Sequence, residues 1–326
     1  MMEMYDEINE LEQKIQELTL KKYELINSMF QRDKCYSESY VRFEPVKAFT
    51  PVDSLSVDKD TVVVYQGVPG AYSHQAMHDY FGRDIKNVNV GAFEDVISFV
   101  RSGKATYGIL PIENSSAGFV NGIYDMVGSS GLTIVGEEEV KVNHMLMGLE
   151  TASLSDIKTV YSHPQGLMQC SEFLKKSGCR QEPVANTAVG AVKVKEDGDI
   201  SQAAIASRLA ADIYGLRILK DDIVNNENNT TRFIILSGKR EYVRSSKNIS
   251  ICFSLPHESG SLYGMLGHIM HNGLNMTSIE SRPLKGRKWE YLFFITLEGS
   301  LMDARTVDAL EKIRDDSQGF KIIGTY

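Results

Sequence analysis

Several things that would commit this chain to a membrane, a polyanion or an oxidising compartment are scarce or missing. Only four cysteines occur in 326 residues, Cys35, Cys170, Cys179 and Cys252, and no two are spaced as CxxC. That reads as reduced thiols in a cytoplasmic protein. No apolar run approaches the roughly 20 residues of a membrane-spanning helix. The start, Met1-Met2-Glu3-Met4-Tyr5-Asp6-Glu7, has neither a basic segment nor an apolar core, so no secretory leader is expected. Basic excess is missing as well: 35 Lys and Arg stand against 43 Asp and Glu, a net charge of −8. This argues against nucleic acid and against an anionic membrane surface as partners, while a local pocket can still take a small anion. His74-x-x-x-His78 lacks the Glu of HExxH, and His268-x-x-His271 has no obvious third ligand, so no metal site is expected. Neither a Walker loop nor a GxGxxG fingerprint occurs, and there is no internal repeat or low-complexity tract.

What is present is an ordinary globular composition, long enough for two or three domains. Residues 4–33 read as a charged amphipathic helix with Ile8, Leu11, Ile15, Leu18, Leu25 and Met29 on one a/d seam and Lys22 interrupting it. Residues 34–60, with Pro45, Pro51 and Asp53, Asp58 and Asp60, read as a linker. From Thr61 the pattern becomes α/β. Strands are expected at Val62–Tyr65, Val88–Val90, Tyr107–Leu110, Thr159–Tyr161 and from Phe233, and helices at Ser73–Phe81, Phe93–Ser102 and from Pro164 through Phe173. Pro111 is expected to end its strand. A second linker, Gly238–Lys247, precedes strand Ile249–Leu255, helix Leu262–Asn272, strands Met276–Arg282 and Trp289–Leu297, helix Asp303–Asp315 and strand Phe320–Gly324. That βαββαβ order is ferredoxin-like.

Chemistry concentrates at strand ends. Asn229-Thr230-Thr231-Arg232-Phe233 places a hydroxyl beside a fixed cation at the mouth of the apolar run Ile234-Ile235-Leu236. Gln66-Gly67-Val68-Pro69-Gly70-Ala71-Tyr72-Ser73 is a glycine-relaxed turn opening a helix, where free N–H groups favour an anion. Glu113-Asn114-Ser115-Ser116 carries an amide with donors and an acceptor, followed by hydroxyls that could equally cap a helix. Ser162-His163-Pro164-Gln165 places His163, the obvious titratable group, and Gln165 at another helix start, where His163 is as readily structural. Asn186-Thr187-Ala188 again caps a helix of small residues.

In this order and spacing, these segments resemble prephenate dehydratase, and Gly260-Ser261-Leu262 with Glu280-Ser281-Arg282-Pro283 resembles the phenylalanine-binding motifs of its ACT domain. The resemblance covers residues 60–326. It implies a two-lobed, periplasmic-binding-protein-like catalytic domain over 60–238, a ferredoxin-like ACT regulatory domain over 248–326, and an N-terminal helix and linker over 1–45. That helix resembles the first helix of chorismate mutase, and is expected to be a remnant or an oligomerisation element.

The resemblance further implies Thr231, Asn114 and Gln165 as catalytic residues, and Ser115, Ser162, Thr187, Arg232, Ala71, Tyr72 and Ser73 as substrate contacts. It places Gly260, Ser261, Leu262, Asn275, Glu280, Ser281, Arg282 and Pro283 around L-phenylalanine. Ser261 stands where the family usually has Ala. The reaction removes CO2 and water from prephenate and makes the ring aromatic, so no cofactor is expected. Thr231 is a weak general acid and reads best as an oriented donor. Arg232 could grip a substrate carboxylate or form an ion pair with Glu113 or an aspartate. The expected assembly is a cytoplasmic homodimer or homotetramer, inhibited by phenylalanine. Two alternatives stay open: an arogenate dehydratase, and a non-catalytic amino acid sensor.

Overall fold

The computed structural model describes residues 2–32, 44–284 and 290–326. Cys35, Trp289 and the side chain of Met29 lie outside the described residues. Two compact units emerge, one of Val57–Leu132 and Gly136–Gly238, the other of Met1–Ser56, Thr133–Val135 and Lys239–Tyr326. No described helix is long and apolar enough to cross a membrane.

The second of these units opens with helix α1 (Met2–Arg32), the short helix α2 (Glu44–Lys47) and strand β1 (Thr50–Val52). The apolar seam of α1 is open to solvent, from Ile8 at 48% to Leu18 at 62% exposure. Thr19 is less exposed than its neighbours, and Lys22 lies 3.9 Å from Asp308.

The unit of residues 57–132 and 136–238 is built from two α/β lobes. The first holds β2 (Val62–Gln66), α3 (Tyr72–Phe81), β3 (Lys86–Val90), α4 (Phe93–Arg101), β4 (Tyr107–Asn114), β5 (Gly118–Phe119), α5 (Ile123–Ser130) and β6 (Thr133–Lys141). The chain then crosses into β7 (Met145–Gly148), β8 (Thr159–Ser162), α6 (Pro164–Gln169), α7 (Ser171–Ser177), β9 (Arg180–Pro183), α8 (Thr187–Asp197), β10 (Gln202–Ala206), α9 (Arg208–Tyr214) and β11 (Arg217–Lys220). It returns to the first lobe as β12 (Thr230–Ser237). Side by side, the first sheet runs β6-β12-β4-β2-β3 and the second β11-β7-β10-β8-β9. Two segments, 142–144 and 221–229, therefore join the lobes, as in the two-lobed periplasmic-binding-protein class.

Strand composition explains this layering. Val63, Val64 and Tyr65 are all buried, as expected of a strand with parallel partners and both faces covered. Ala203, Ala204, Ile205 and Ala206 are wholly buried, and the small side chains of Ala204 and Ala206 pack with Ala188, Ala191 and Val194 so that α8 lies close. Gly190 marks that approach, since a Cβ there would meet the Tyr161 carbonyl at 2.8 Å.

Two expected element boundaries need correction. Strand β4 does not stop at Pro111 but continues to Asn114. A bulge absorbs the proline: Pro111 pairs with Phe233 and Glu113 with Arg232, leaving Ile112 as the extra residue. The helix from Pro164 breaks at Cys170 into α6 and α7.

The remaining unit continues with β13 (Glu241–Val243), β14 (Asn248–Ser254), α10 (Ser261–His271), β15 (Asn275–Pro283), β16 (Tyr291–Glu298), α11 (Ala304–Asp315) and β17 (Gln318–Thr325). Its antiparallel sheet order, β15-β16-β14-β17, is that of a ferredoxin-like βαββαβ module. Neither expected linker is a plain connector. Thr50, Pro51 and Val52 pair in parallel with Glu241, Tyr242 and Val243. Val46, Phe49 and Tyr242 join the core of Ile249, Phe253, Ile295 and Leu310. Apolar residues spaced too irregularly to announce an element still find a core when their partners lie nearly 200 positions away.

Candidate active site

The β4–β12 pair sets the centre of the site. Register places Asn114 opposite Thr231, and alternation along β12 sends Thr231 and Phe233 to one face and Arg232 to the other. Asn114 Nδ2 donates to Thr231 Oγ1 at 2.9 Å, to Asn229 Oδ1 at 2.8 Å and to the Thr230 carbonyl at 3.2 Å. Asn114 Oδ1 accepts from the backbone N–H groups of Ser116 and Ala117. The amide is thus held from both ends. Because Thr231 Oγ1 accepts from Asn114, its own proton is free to be donated elsewhere.

Thr231 and Phe233 line a cavity of about 490 Å³ shared by the two lobes of this unit. Helix starts supply much of the wall. Ala71, Tyr72 and Ser73 come from the start of α3, His163, Gln165 and Gly166 from α6, and Asn186 and Thr187 from α8. Free N–H groups at helix starts favour negative charge. Gly70, at φ +88°, makes the turn into α3, and Ser207 Oγ from α9 donates to its carbonyl at 2.7 Å. Tyr214 Oη donates to the Pro69 carbonyl at 2.8 Å, which ties the same loop to the second lobe.

Most expected site residues meet here: Thr231, Asn114, Gln165, Thr187, Ala71, Tyr72 and Ser73 all line the cavity. Three expected substrate contacts do not. Ser115 spends its hydroxyl on the Asn228 carbonyl and the Thr230 N–H, stapling two loops rather than capping a helix. Ser162 is fully buried and donates to the Ile205 carbonyl at 2.7 Å. Arg232 faces the opposite side of the sheet, where Glu113, Glu137 and Glu139 lie 3.3, 3.4 and 3.0 Å from its guanidinium. Burial pushes the Glu137 carboxyl up, against the pull of Arg232.

His163 caps α6, its Nδ1 accepting from the Gln165 N–H at 3.1 Å, and burial lowers its pKa. Sequence reasoning missed His144 and Gln169, which also line the cavity. His144 is 2% exposed, bonds Tyr72 Oη through Nδ1 and Gln169 Oε1 through Nε2, each at 3.0 Å, and is pushed down to about 4 by burial. The one signal for it is a polar residue just before the apolar run Met145-Leu146-Met147. No Lys or Arg is among the described residues of the lining.

A smaller hollow of about 140 Å³ in the ferredoxin-like unit is lined by Leu255, His257, Ser261, Leu262, Tyr291 and Phe293, among others. Gly260 caps α10 at φ +88°, and Ser261 is the first helical residue. Ser281 lies across from Phe293 in the β15–β16 register, and Arg282 pairs with Glu280 at 3.3 Å. Asn275, Glu280, Ser281, Arg282 and Pro283 sit on β15 and are not part of that lining.

The chain is similar to known proteins in sequence and in fold. The family model described as prephenate dehydratase matches residues 63–241. A bifunctional chorismate mutase/prephenate dehydratase of Buchnera aphidicola (subsp. Acyrthosiphon pisum) is 36% identical over 271 residues, covering 80% of this chain and 70% of that protein. The structure of prephenate dehydratase from Arthrobacter aurescens in complex with L-Phe superposes with a TM-score of 0.74 at 27% identity, over 82% of this chain and 90% of that one. A quorum-quenching acylase, GqqA, superposes with a TM-score of 0.76 at 31% identity, over 81% and 97%. The chain belongs to the prephenate dehydratase family.

Proposed function

We propose that the cavity around Thr231 binds prephenate and converts it, with one proton, into phenylpyruvate, CO2 and water. The C–CO2⁻ bond breaks, its electron pair enters the ring, and the ring hydroxyl leaves with its bonding pair and takes up the proton. The observation that carries this reading is the Asn114–Thr231 hydrogen bond, which leaves the Thr231 proton available at the cavity wall. Thr231 donates toward the departing hydroxyl, and preorganised dipoles carry most of the stabilisation. Anchoring of the carboxylates falls to the N–H groups at the starts of α3 and α8 and to Gln165. Ser73 is less available, since its hydroxyl already donates to the Gln66 carbonyl.

L-phenylalanine is the proposed effector, bound at the hollow beside Gly260, Ser261 and Leu262, with Asn275 and the Glu280–Pro283 strand completing its site in a dimer. The L-Phe complex of the Arthrobacter protein supports this assignment. Inhibition requires that the effector bind one conformational state better than another. The free thiols Cys170, Cys179 and Cys252 suit a reducing cytoplasm. Assembly is proposed as a homodimer or homotetramer, through the ferredoxin-like unit and the open seam of α1.

The test incubates purified protein with prephenate and, separately, with arogenate, following phenylpyruvate and phenylalanine, each with and without added L-phenylalanine. Prephenate turnover suppressed by phenylalanine is expected. Preference for arogenate replaces the substrate and keeps the chemistry. Loss of neither substrate, with phenylalanine still bound, refutes the catalytic reading in favour of a sensor.

A further inference from the structure

Prephenate bears two carboxylates, a ketone and one hydroxyl, so the departing ring hydroxyl is its sole hydrogen-bond donor. A wall group that can only accept therefore has that hydroxyl as its one possible partner on the substrate. One such group follows from the bonding around His144. This imidazole lies on the 142–144 crossing between the lobes, stacked edge-on to Tyr72 with ring centroids 5.5 Å apart. Burial keeps it neutral near pH 7, with one donor and one acceptor nitrogen. Gln169 presents Oε1, which can only accept, so Nε2 of His144 carries the proton. Its Nδ1 must then accept, and the phenol proton of Tyr72 is committed to it. Burial raises the Tyr72 pKa further above its ordinary value, so the phenol does not ionise. Toward the cavity, Tyr72 has only lone pairs to offer. The amide nitrogen of Gln169, with Oε1 engaged, is left as a donor.

We propose that Tyr72 accepts the hydrogen of the substrate's departing hydroxyl, and that His144 is the positioning residue that makes it an acceptor. This rests on the prephenate dehydratase reading of the same cavity. The hydroxyl is held between an acceptor, Tyr72, and a donor, Thr231. It keeps its own hydrogen toward Tyr72 while the second proton of the leaving water arrives at the other lone pair. A ketone or carboxylate placed against Tyr72 meets oxygen lone pairs and is rejected, so the same arrangement selects one orientation of the ring.

Four variants test this: Tyr72→Phe, His144→Leu, the double Tyr72→Phe/His144→Leu, and His144→Asn, whose Oδ1 can accept in place of Nδ1. Each is assayed for prephenate turnover and for thermal unfolding. Expected is a ten- to hundredfold fall in kcat for Tyr72→Phe and for His144→Leu, with KM within threefold, on the scale of one lost hydrogen bond in the transition state. The double variant should be no slower than the worse single, because His144 acts through Tyr72. His144→Asn should recover kcat to within threefold of wild type even if its melting temperature stays low, which a merely structural role would not produce. A folded Tyr72→Phe protein with kcat within twofold of wild type overturns the inference and leaves the dehydratase reading intact, as does full additivity in the double variant. A wild-type protein that leaves prephenate untouched overturns both.

Discussion

Asn114→Asp is the sharpest test of the site, because it changes one nitrogen to an oxygen and little else. In the native protein Nδ2 faces three oxygens, those of Thr231 at 2.9 Å, Asn229 at 2.8 Å and the Thr230 carbonyl at 3.2 Å. A carboxylate there turns three attractions into three oxygen–oxygen contacts. Thr231 escapes by rotating its hydroxyl to donate to the new carboxylate, and Asn229 by turning its amide. The Thr230 carbonyl cannot turn away, but it keeps the Ser115 N–H at 2.9 Å. The cost to folding should be about 0.5–1.5 kcal/mol, the scale of one lost hydrogen bond. The cost to catalysis should be larger in kind, because the Thr231 proton now points at the introduced carboxylate instead of the substrate. Losing one preorganised donor is worth about 10²- to 10³-fold in kcat. Thr231→Val should lose a similar factor, Thr231→Ser only a few-fold, and Asn114→Asp/Thr231→Val no more than Asn114→Asp alone. Steady-state prephenate turnover and denaturant unfolding on the same preparations separate the two costs. A folded Asn114→Asp or Thr231→Val protein with kcat within threefold of wild type would refute the donor role.

Three further outcomes follow from packing and burial. His74 and His144 are both held down to about 4 by burial, below the ordinary unfolded value near 6.5, so the unfolded chain binds more protons between those limits. Their contribution is complete above pH 6.5 and drains away as pH falls toward 4. Urea unfolding at pH 5 should therefore give a stability lower than at pH 7 by roughly 2 kcal/mol per histidine, less whatever Glu137 and Glu138, shifted upward, return; a flat profile contradicts this. Gly70→Ala should cost about 3 kcal/mol or more, since its φ is +88° and a Cβ would sit 2.7 Å from the Ala210 Cα, and should depress turnover with stability. Wild-type stability in that variant would mean the 67–70 loop is not pinned to α9. Ile15→Asp combined with Leu18→Asp should reduce the assembly mass measured by light scattering while leaving kcat within twofold; an unchanged mass removes α1 from the assembly.

How much of this was legible beforehand depended on whether a pattern was local. Strand β2 is announced by four consecutive apolar residues, and the ferredoxin-like order by alternating periods of two and 3.6. Asn114, Gln165 and Thr231 were indicated by the family resemblance, whose motifs lie at strand ends or helix starts and span only a few residues each. The β1–β13 pair was invisible because neither three-residue strand has periodicity, and each exists only through the other. His144 was missed for the same reason: Tyr72 and Gln169, which give it meaning, lie 72 and 25 positions away. Pro111 misled by obeying its usual rule, since a proline ends a strand unless a bulge absorbs it. For Arg232 the sequence left open a substrate carboxylate or a Glu113 ion pair, and parity decides where its guanidinium lies. One residue from Thr231 in sequence is the opposite face of the sheet in space.

That placement bears on the chemistry. A guanidinium gripping the departing carboxylate would stabilise the reactant, in which the charge is localised, more than the transition state, in which it flows into the ring. Such an interaction raises the barrier it is meant to lower. A lining without Lys or Arg among its described residues, walled by amide, hydroxyl and helix-start N–H groups, is better matched to a charge that disperses as the bond breaks. On this argument Arg232 serves the fold, by offsetting Glu113, Glu137 and Glu139 on the reverse face of the strand that presents Thr231. Arg232→Gln leaves three carboxylates facing one another and should lower stability by about 1–3 kcal/mol. Its KM for prephenate should stay within threefold, measured below the melting temperature. A KM raised more than tenfold with kcat preserved would instead identify Arg232 as a carboxylate anchor, and the case for a cavity matched to dispersing charge would fall with it.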